Sequence, residues 1–158
     1  MKKIESFTVD HNRLLPGIYV SRKDRLREEV LTTFDLRFTK PNFEPVMDTA
    51  GIHTIEHLGA TFLRNEPEWK TRIIYFGPMG CRTGFYLILW GEVKSEEILS
   101  LIRKMSDFII DYEDDIPGAS AEECGNYSDQ NLDQAKKYLL KFKKDVLDNP
   151  TSDRLNYK

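Results

Sequence analysis

The run Phe85-Tyr-Leu-Ile-Leu-Trp-Gly-Glu-Val93 constrains the fold most, because successive apolar positions leave neither face of an extended segment for water. A strand of this kind is covered on both sides, which places it at the centre of a sheet. Its neighbours can be read around it. Residues 31–40 alternate, with Phe34, Leu36 and Phe38 on one side and Thr33, Asp35 and Arg37 on the other. That is the pattern of a half-buried antiparallel strand with a polar face. Residues 71–76 form another strand, joined to the central one by the glycine-rich turn 77–84. Residues 18–21 form a fourth, ending in a turn or edge over 22–25.

Helical spacing accounts for the rest. Ser95 is placed to cap a helix running to about Tyr112, with Ile98, Leu101, Ile102, Met105 and Phe108 as its apolar stripe. A last helix, capped by Asp129 or Asn131, carries Leu132, Ala135, Leu139, Phe142 and Val146 and ends at Asn149-Pro150, before a polar tail. Its lysines are a solvated face. Another, capped by Asp48 or Thr49, buries Ile55, Leu58 and Phe62. The expected architecture is α+β: a single domain over residues 1–158, with an antiparallel sheet and helices packed mainly on one face. Strand order is not written in such a pattern.

Size and charge narrow the function. A chain of 158 residues is long enough to fold around one core without staples, and a net charge of −3 with interspersed signs gives no footprint for nucleic acid. No stretch approaches the ~20 apolar residues of a membrane span, and the lysines near the N-terminus have no apolar run behind them. Two cysteines without a C-x-x-C pattern fit a reducing compartment, so a cytoplasmic location is expected.

The chemistry concentrates in His53-Thr-Ile-Glu-His57. On a helix, residues four apart share a face, so both imidazoles point one way with Glu56 beside them, opposite the core stripe. This is ligand spacing for one metal, with a carboxylate free for proton transfer. Gly59 and Ala60 are expected to keep the histidine side thin, open to a substrate or a second chain. A third ligand is still needed. Cys124, Glu122 and Glu123 are the candidates: a glutamate would resemble an inverted-zincin peptidase, while a cysteine favours zinc or ferrous iron. A metal-storing or metal-sensing protein is a third class. Cys81 sits on the turn between two core strands, a rigid place for a reactive thiol.

Three separated motifs carry a resemblance. His53-Thr-Ile-Glu-His-Leu58, Pro78-Met-Gly-Cys-Arg-Thr-Gly-Phe-Tyr86 and Glu123-Cys-Gly-Asn-Tyr127, with Ser6-Phe7 and Asp10-His11 near the start, resemble the LuxS family of S-ribosylhomocysteine lyases. The resemblance implies cleavage of S-ribosylhomocysteine to homocysteine and 4,5-dihydroxy-2,3-pentanedione, the precursor of a quorum-sensing autoinducer, by carbonyl shifts and β-elimination. It implies His53, His57 and Cys124 as ligands of ferrous iron, replaceable by zinc or cobalt, and Glu56 and Cys81 as acid/base residues. It also implies a homodimer with sites at the interface, where Ser6, Phe7, His11 and Arg37 reach the substrate. Arg82 is a candidate for helping to ionise Cys81. One departure stands out: many members carry Asp-x-Ser where this chain has Tyr75-Phe76-Gly77, so a carboxylate that helps hold the sugar is replaced by a tyrosine.

Overall fold

Among the described residues, four strands pair antiparallel in one sheet: β1 (Gly17–Leu26), β2 (Glu29–Arg37), β3 (Ile73–Pro78) and β4 (Gly84–Trp90), in spatial order β1-β2-β4-β3. The computed structural model describes every residue except Lys2, Glu5 and Ser6. β4 lies between β2 and β3, as its two-sided apolarity requires. Register pairs Phe34 with Leu87 and Leu36 with Phe85, and all four are fully buried. On the other face of β4, Tyr86 and Ile88 are half-buried. Helices α1 (Thr49–Asn65), α2 (Leu99–Ile110) and α3 (Leu132–Phe142) share one core with the sheet, through Ile55 and Leu58, Ile102 and Met105, and Leu139 and Phe142. Each large apolar side chain withdrawn from water there contributes about 1.5–3 kcal/mol. The expected α+β architecture is what the chain adopts.

Caps set the helix starts. Asp48 accepts a hydrogen bond from the Gly51 amide at 2.8 Å, and Asn131 accepts one from Gln134 at 2.9 Å, so these residues begin α1 and α3. Ser95 does not cap α2. It opens a 3₁₀ turn (Ser95–Ile98), the Glu97 carboxylate accepts from the Lys94 amide at 2.7 Å, and the buried Ser95 hydroxyl has no partner among the described residues.

The structure decides one open expectation and corrects two others. β1 continues as a strand through 22–26 after a bulge at Ser21, pairing Arg22 with Thr33 and Leu26 with Glu29. Of the two expectations for its charged run, a turn or an edge, the chain adopts the edge, where charge discourages further pairing, and Lys23 and Arg25 both meet Glu92. The polar face of β2 is not open to water: Thr33, Asp35 and Arg37 are 6%, 2% and 3% exposed. The C-terminal tail covers part of it. After the short α4 (Ser152–Leu155), Tyr157 stacks on Tyr19 at 4.6 Å and its hydroxyl donates to Asp35. Lastly, Gly59 serves the sheet rather than the histidine face, because a Cβ there would lie 2.5 Å from the Phe76 ring.

Candidate metal centre

α1 presents His53 and His57 on one half-buried face, and the irregular segment between α2 and α3 folds back over them. Two backbone carbonyls of that segment hold the rings: Asp129 O lies 2.9 Å from His53 Nδ1 and Pro117 O lies 2.7 Å from His57 Nδ1. A carbonyl only accepts, so each Nδ1 carries the proton and each Nε2 keeps its lone pair for a metal. Such carbonyl contacts fix ring orientation as well as tautomer. Gly118, at φ +73°, makes the approach to His57 possible: a Cβ there would sit 3.2 Å from Nδ1.

The same segment delivers the third group. Cys124 Sγ lies 3.4 Å from His53 Nε2, and possible ligand atoms of His53, His57 and Cys124 all fall within 4.8 Å of one another. Tetrahedral bonds of about 2.0–2.3 Å place ligand atoms roughly 3.3–3.6 Å apart; the His53–Cys124 pair stands at that spacing, and the three groups together, within 4.8 Å, are near enough to close on a single zinc- or iron-sized cation. The Asn126 amide donates to the sulfur at 3.4 Å. Thr54, fully buried on α1, fastens the end of the segment by donating to Gln130 Oε1 at 2.7 Å and accepting from the Asn131 amide at 2.9 Å. Glu122 and Glu123 do not join the cluster. Both are exposed, and Glu123 accepts from Ser120. Glu56 is half-buried beside the two histidines and makes no hydrogen bond or ion pair among the described residues.

A second cluster surrounds Cys81. Arg37 pairs with Asp35 through two bonds, Nε to Oδ1 at 3.1 Å and Nη2 to Oδ2 at 2.6 Å. Its remaining nitrogen, Nη1, donates to Thr83 Oγ1 at 2.5 Å and approaches Cys81 Sγ at 3.8 Å, while Thr83 Oγ1 stands 3.1 Å from the sulfur. Partial burial raises the thiol's pKa, but the Thr83 hydroxyl and backbone bonds, together with the charge of Arg37, outweigh it and bring Cys81 below the usual thiol value. Arg82 plays no such part; it is exposed, at φ 58° in the turn, and the nearby cation is Arg37. His11 and Phe43 line the same cleft as Cys81. Phe7 is 69% exposed, and Ser6 falls outside the described residues.

The contacts of Cys81 run to Arg37 and Thr83 and those of Cys124 to His53 and Asn126, so the expected site residues form two groups. Sequence reasoning missed Asp35 and Thr83 as partners of Arg37. Opposite charges two residues apart on one strand face were the available signal. The carbonyls of Pro117 and Asp129 left none, since every residue has one.

Fold and site together define an α+β protein with a His-His-Cys metal-binding arrangement carried on one helix and a facing segment. A model of the S-ribosylhomocysteinase (LuxS) family matches residues 4–153. The chain is 62% identical to the S-ribosylhomocysteine lyase of Finegoldia magna, 58% to that of Clostridium acetobutylicum and 52% to that of Borrelia garinii, in each case over 99% of both chains. The chain belongs to the S-ribosylhomocysteinase family.

Proposed function

We propose that this chain is a carbon–sulfur lyase that cleaves S-ribosylhomocysteine to homocysteine and 4,5-dihydroxy-2,3-pentanedione, using one ferrous ion held by His53, His57 and Cys124. The observation that carries this reading is the convergence of one ring nitrogen from each histidine and the Cys124 sulfur within 4.8 Å, with both Nδ1 atoms against carbonyls. Zinc or cobalt substitutes in the same donor set. When bound, the cation supplies Lewis-acid polarisation of the sugar's carbonyl oxygen, worth several kcal/mol.

The chain's own residues move the protons. Each carbonyl shift takes a proton from a carbon beside a carbonyl and returns one to its neighbour, and the final step takes another as the thioether sulfur leaves. Glu56, unpaired and next to the ligands, is one carrier; Cys81, ionised more readily than an ordinary thiol, is the other. A positioned base of this kind contributes typically ~10²–10⁴-fold. Ser6, Phe7, His11 and Arg37 hold the homocysteine and ribose portions. Arg37 acts there through Nη1, the edge toward Cys81, because Asp35 occupies the rest of its fork.

Two separate groups of reactive side chains support a homodimer in which the Cys81 cluster of one protomer faces the metal centre of its partner. A reducing compartment such as the cytoplasm suits the two free thiols. No helix among the described residues is long and apolar enough to cross a membrane.

The test is homocysteine release, followed as new thiol, from S-ribosylhomocysteine mixed with anaerobically iron-loaded protein. Turnover is expected, and Cys124→Ala is expected to lose both retained metal and activity. Metal retained without thiol release by the native chain would overturn the lyase reading in favour of metal storage or sensing.

A further inference from the structure

Tyr157 belongs to the C-terminal tail, beyond the residues that the family model matches. Its hydroxyl nevertheless donates to Asp35 Oδ2 at 2.8 Å, the same oxygen that accepts from Arg37 Nη2 at 2.6 Å. Arg37 in turn reaches Thr83 and Cys81. A hydrogen-bonded chain therefore runs from the tail through a buried ion pair to the thiol, across three separate parts of the sequence.

The tail is built to hold that hydroxyl still. Tyr157 stacks on Tyr19 with the rings 15° from parallel. Tyr19 itself donates to the Leu15 and Asp153 carbonyls, and Arg154 donates to Pro16 O at 2.8 Å. Leu155, 6% exposed, anchors the same turn in the core.

We propose that Tyr157 is a positioning residue for Cys81: by sharing Asp35 with Arg37, it keeps the Arg37 Nη1 edge directed at the sulfur. Asp35 without this donor has one strong partner and draws the guanidinium closer; with it, the carboxylate charge is divided and more of the Arg37 charge reaches the thiol. Titratable or charged groups around the sulfur are Arg37 and Asp35 on β2, Tyr86 on β4, His11 on the N-terminal arm, Glu44 before α1, and Tyr157 through Asp35. Tyr157 reaches this cluster through its bond to Asp35 rather than by contact with the sulfur. The consequence for function rests on the reading of Cys81 as a proton carrier, but the effect on the thiol does not.

The test uses metal-loaded full-length protein. The rate of iodoacetamide alkylation is measured against pH, with peptide mass analysis separating Cys81 from Cys124. Tyr157→Phe keeps the ring and its stack and removes only the hydroxyl. The Cys81 midpoint is expected to rise by about 0.5–1 pH unit, the scale of one lost hydrogen bond. The pH–rate profile is expected to move by the same amount while the limiting rate at high pH holds. Asn156→Ala, one residue away and with its side chain donating to Ser152 O, is expected to leave the midpoint in place. An unmoved midpoint in Tyr157→Phe overturns the proposal, and so does an equal shift in Asn156→Ala, which would mean general loosening of the tail. Full turnover by Cys81→Ser would instead end the assignment of Cys81 as proton carrier and leave the titration result standing.

Discussion

Asp35 and Arg37 sit two residues apart on β2 with side chains only 3% and 4% exposed, and each depends on the other for charge compensation. Removing one partner of such a pair leaves a buried, uncompensated charge, a loss of about 3–5 kcal/mol. Arg37→Ala is therefore expected to destabilise the fold by that amount in denaturant unfolding, and to raise the titration of Cys81. A loss below about 1 kcal/mol, the scale of an exposed pair, would show that water reaches Asp35. Asp48 gives a pH-dependent counterpart. Burial raises its carboxyl, but the Tyr138 hydroxyl and the α1 amides outweigh it, so its folded-state pKa lies below the usual value. A depressed carboxylate stabilises the fold above its unfolded pKa of about 3.9 and loses that contribution as pH falls through the lower folded value. Asp48→Ala is expected to cost about 0.5–2 kcal/mol at neutral pH, less as acid protonates the native residue. His53 and His57 were legible from sequence because their spacing on a helix carries the chemistry, while Cys124 stood beside Glu122 and Glu123 as a candidate until the family resemblance singled it out. Arg37 was read on the polar face of a half-buried strand, and its depth was not legible, since nothing in an alternating strand says that a tail will cover it.

At the scale of elements, α1 was legible because a helical stripe and a ligand spacing coexist in it without sharing positions. Ile55 and Leu58 are fully buried while His53 and His57 stay half-exposed. Its glycine was misread, since a missing side chain looks the same whether the space serves a ligand or a neighbouring strand. Phe76, the ring that fills the space at Gly59, is 6% exposed and stacked on Phe85 at 5.2 Å, so it has little freedom to withdraw. Gly59→Ala thus sets a helix-propensity gain of about 0.8–1 kcal/mol against an overpacking cost of about 1–3 kcal/mol. The cost is expected to win by roughly 1 kcal/mol, measured as a lower denaturation midpoint with an unchanged slope. A stabilised variant would place the α1–β3 contact further apart than 2.5 Å implies. The charged run of β1 was legible only as a turn or an edge for a related reason: four charged residues in a row signal solvent, and both a turn and an edge strand satisfy that signal.

For the whole molecule the decisive question is where Cys81 meets the metal, because one protomer keeps the two reactive groups in separate hydrogen-bonded clusters. In the proposed two-fold homodimer each contact would be repeated, so two composite sites would form, each with Cys81 from one protomer and His53, His57 and Cys124 from its partner. Mixing two inactive variants then distinguishes this arrangement from a self-sufficient protomer. Cys81→Ala spoils the site its thiol enters, and His57→Ala spoils the site its own helix builds. In a mixed dimer both lesions fall in one site, while the other combines an intact thiol with an intact metal centre. Random reassortment makes about half the dimers mixed, each with one working site of two, so thiol release is expected to recover to about one quarter of the native rate. With self-sufficient protomers every site keeps its own lesion, and the mixture stays as inactive as its components.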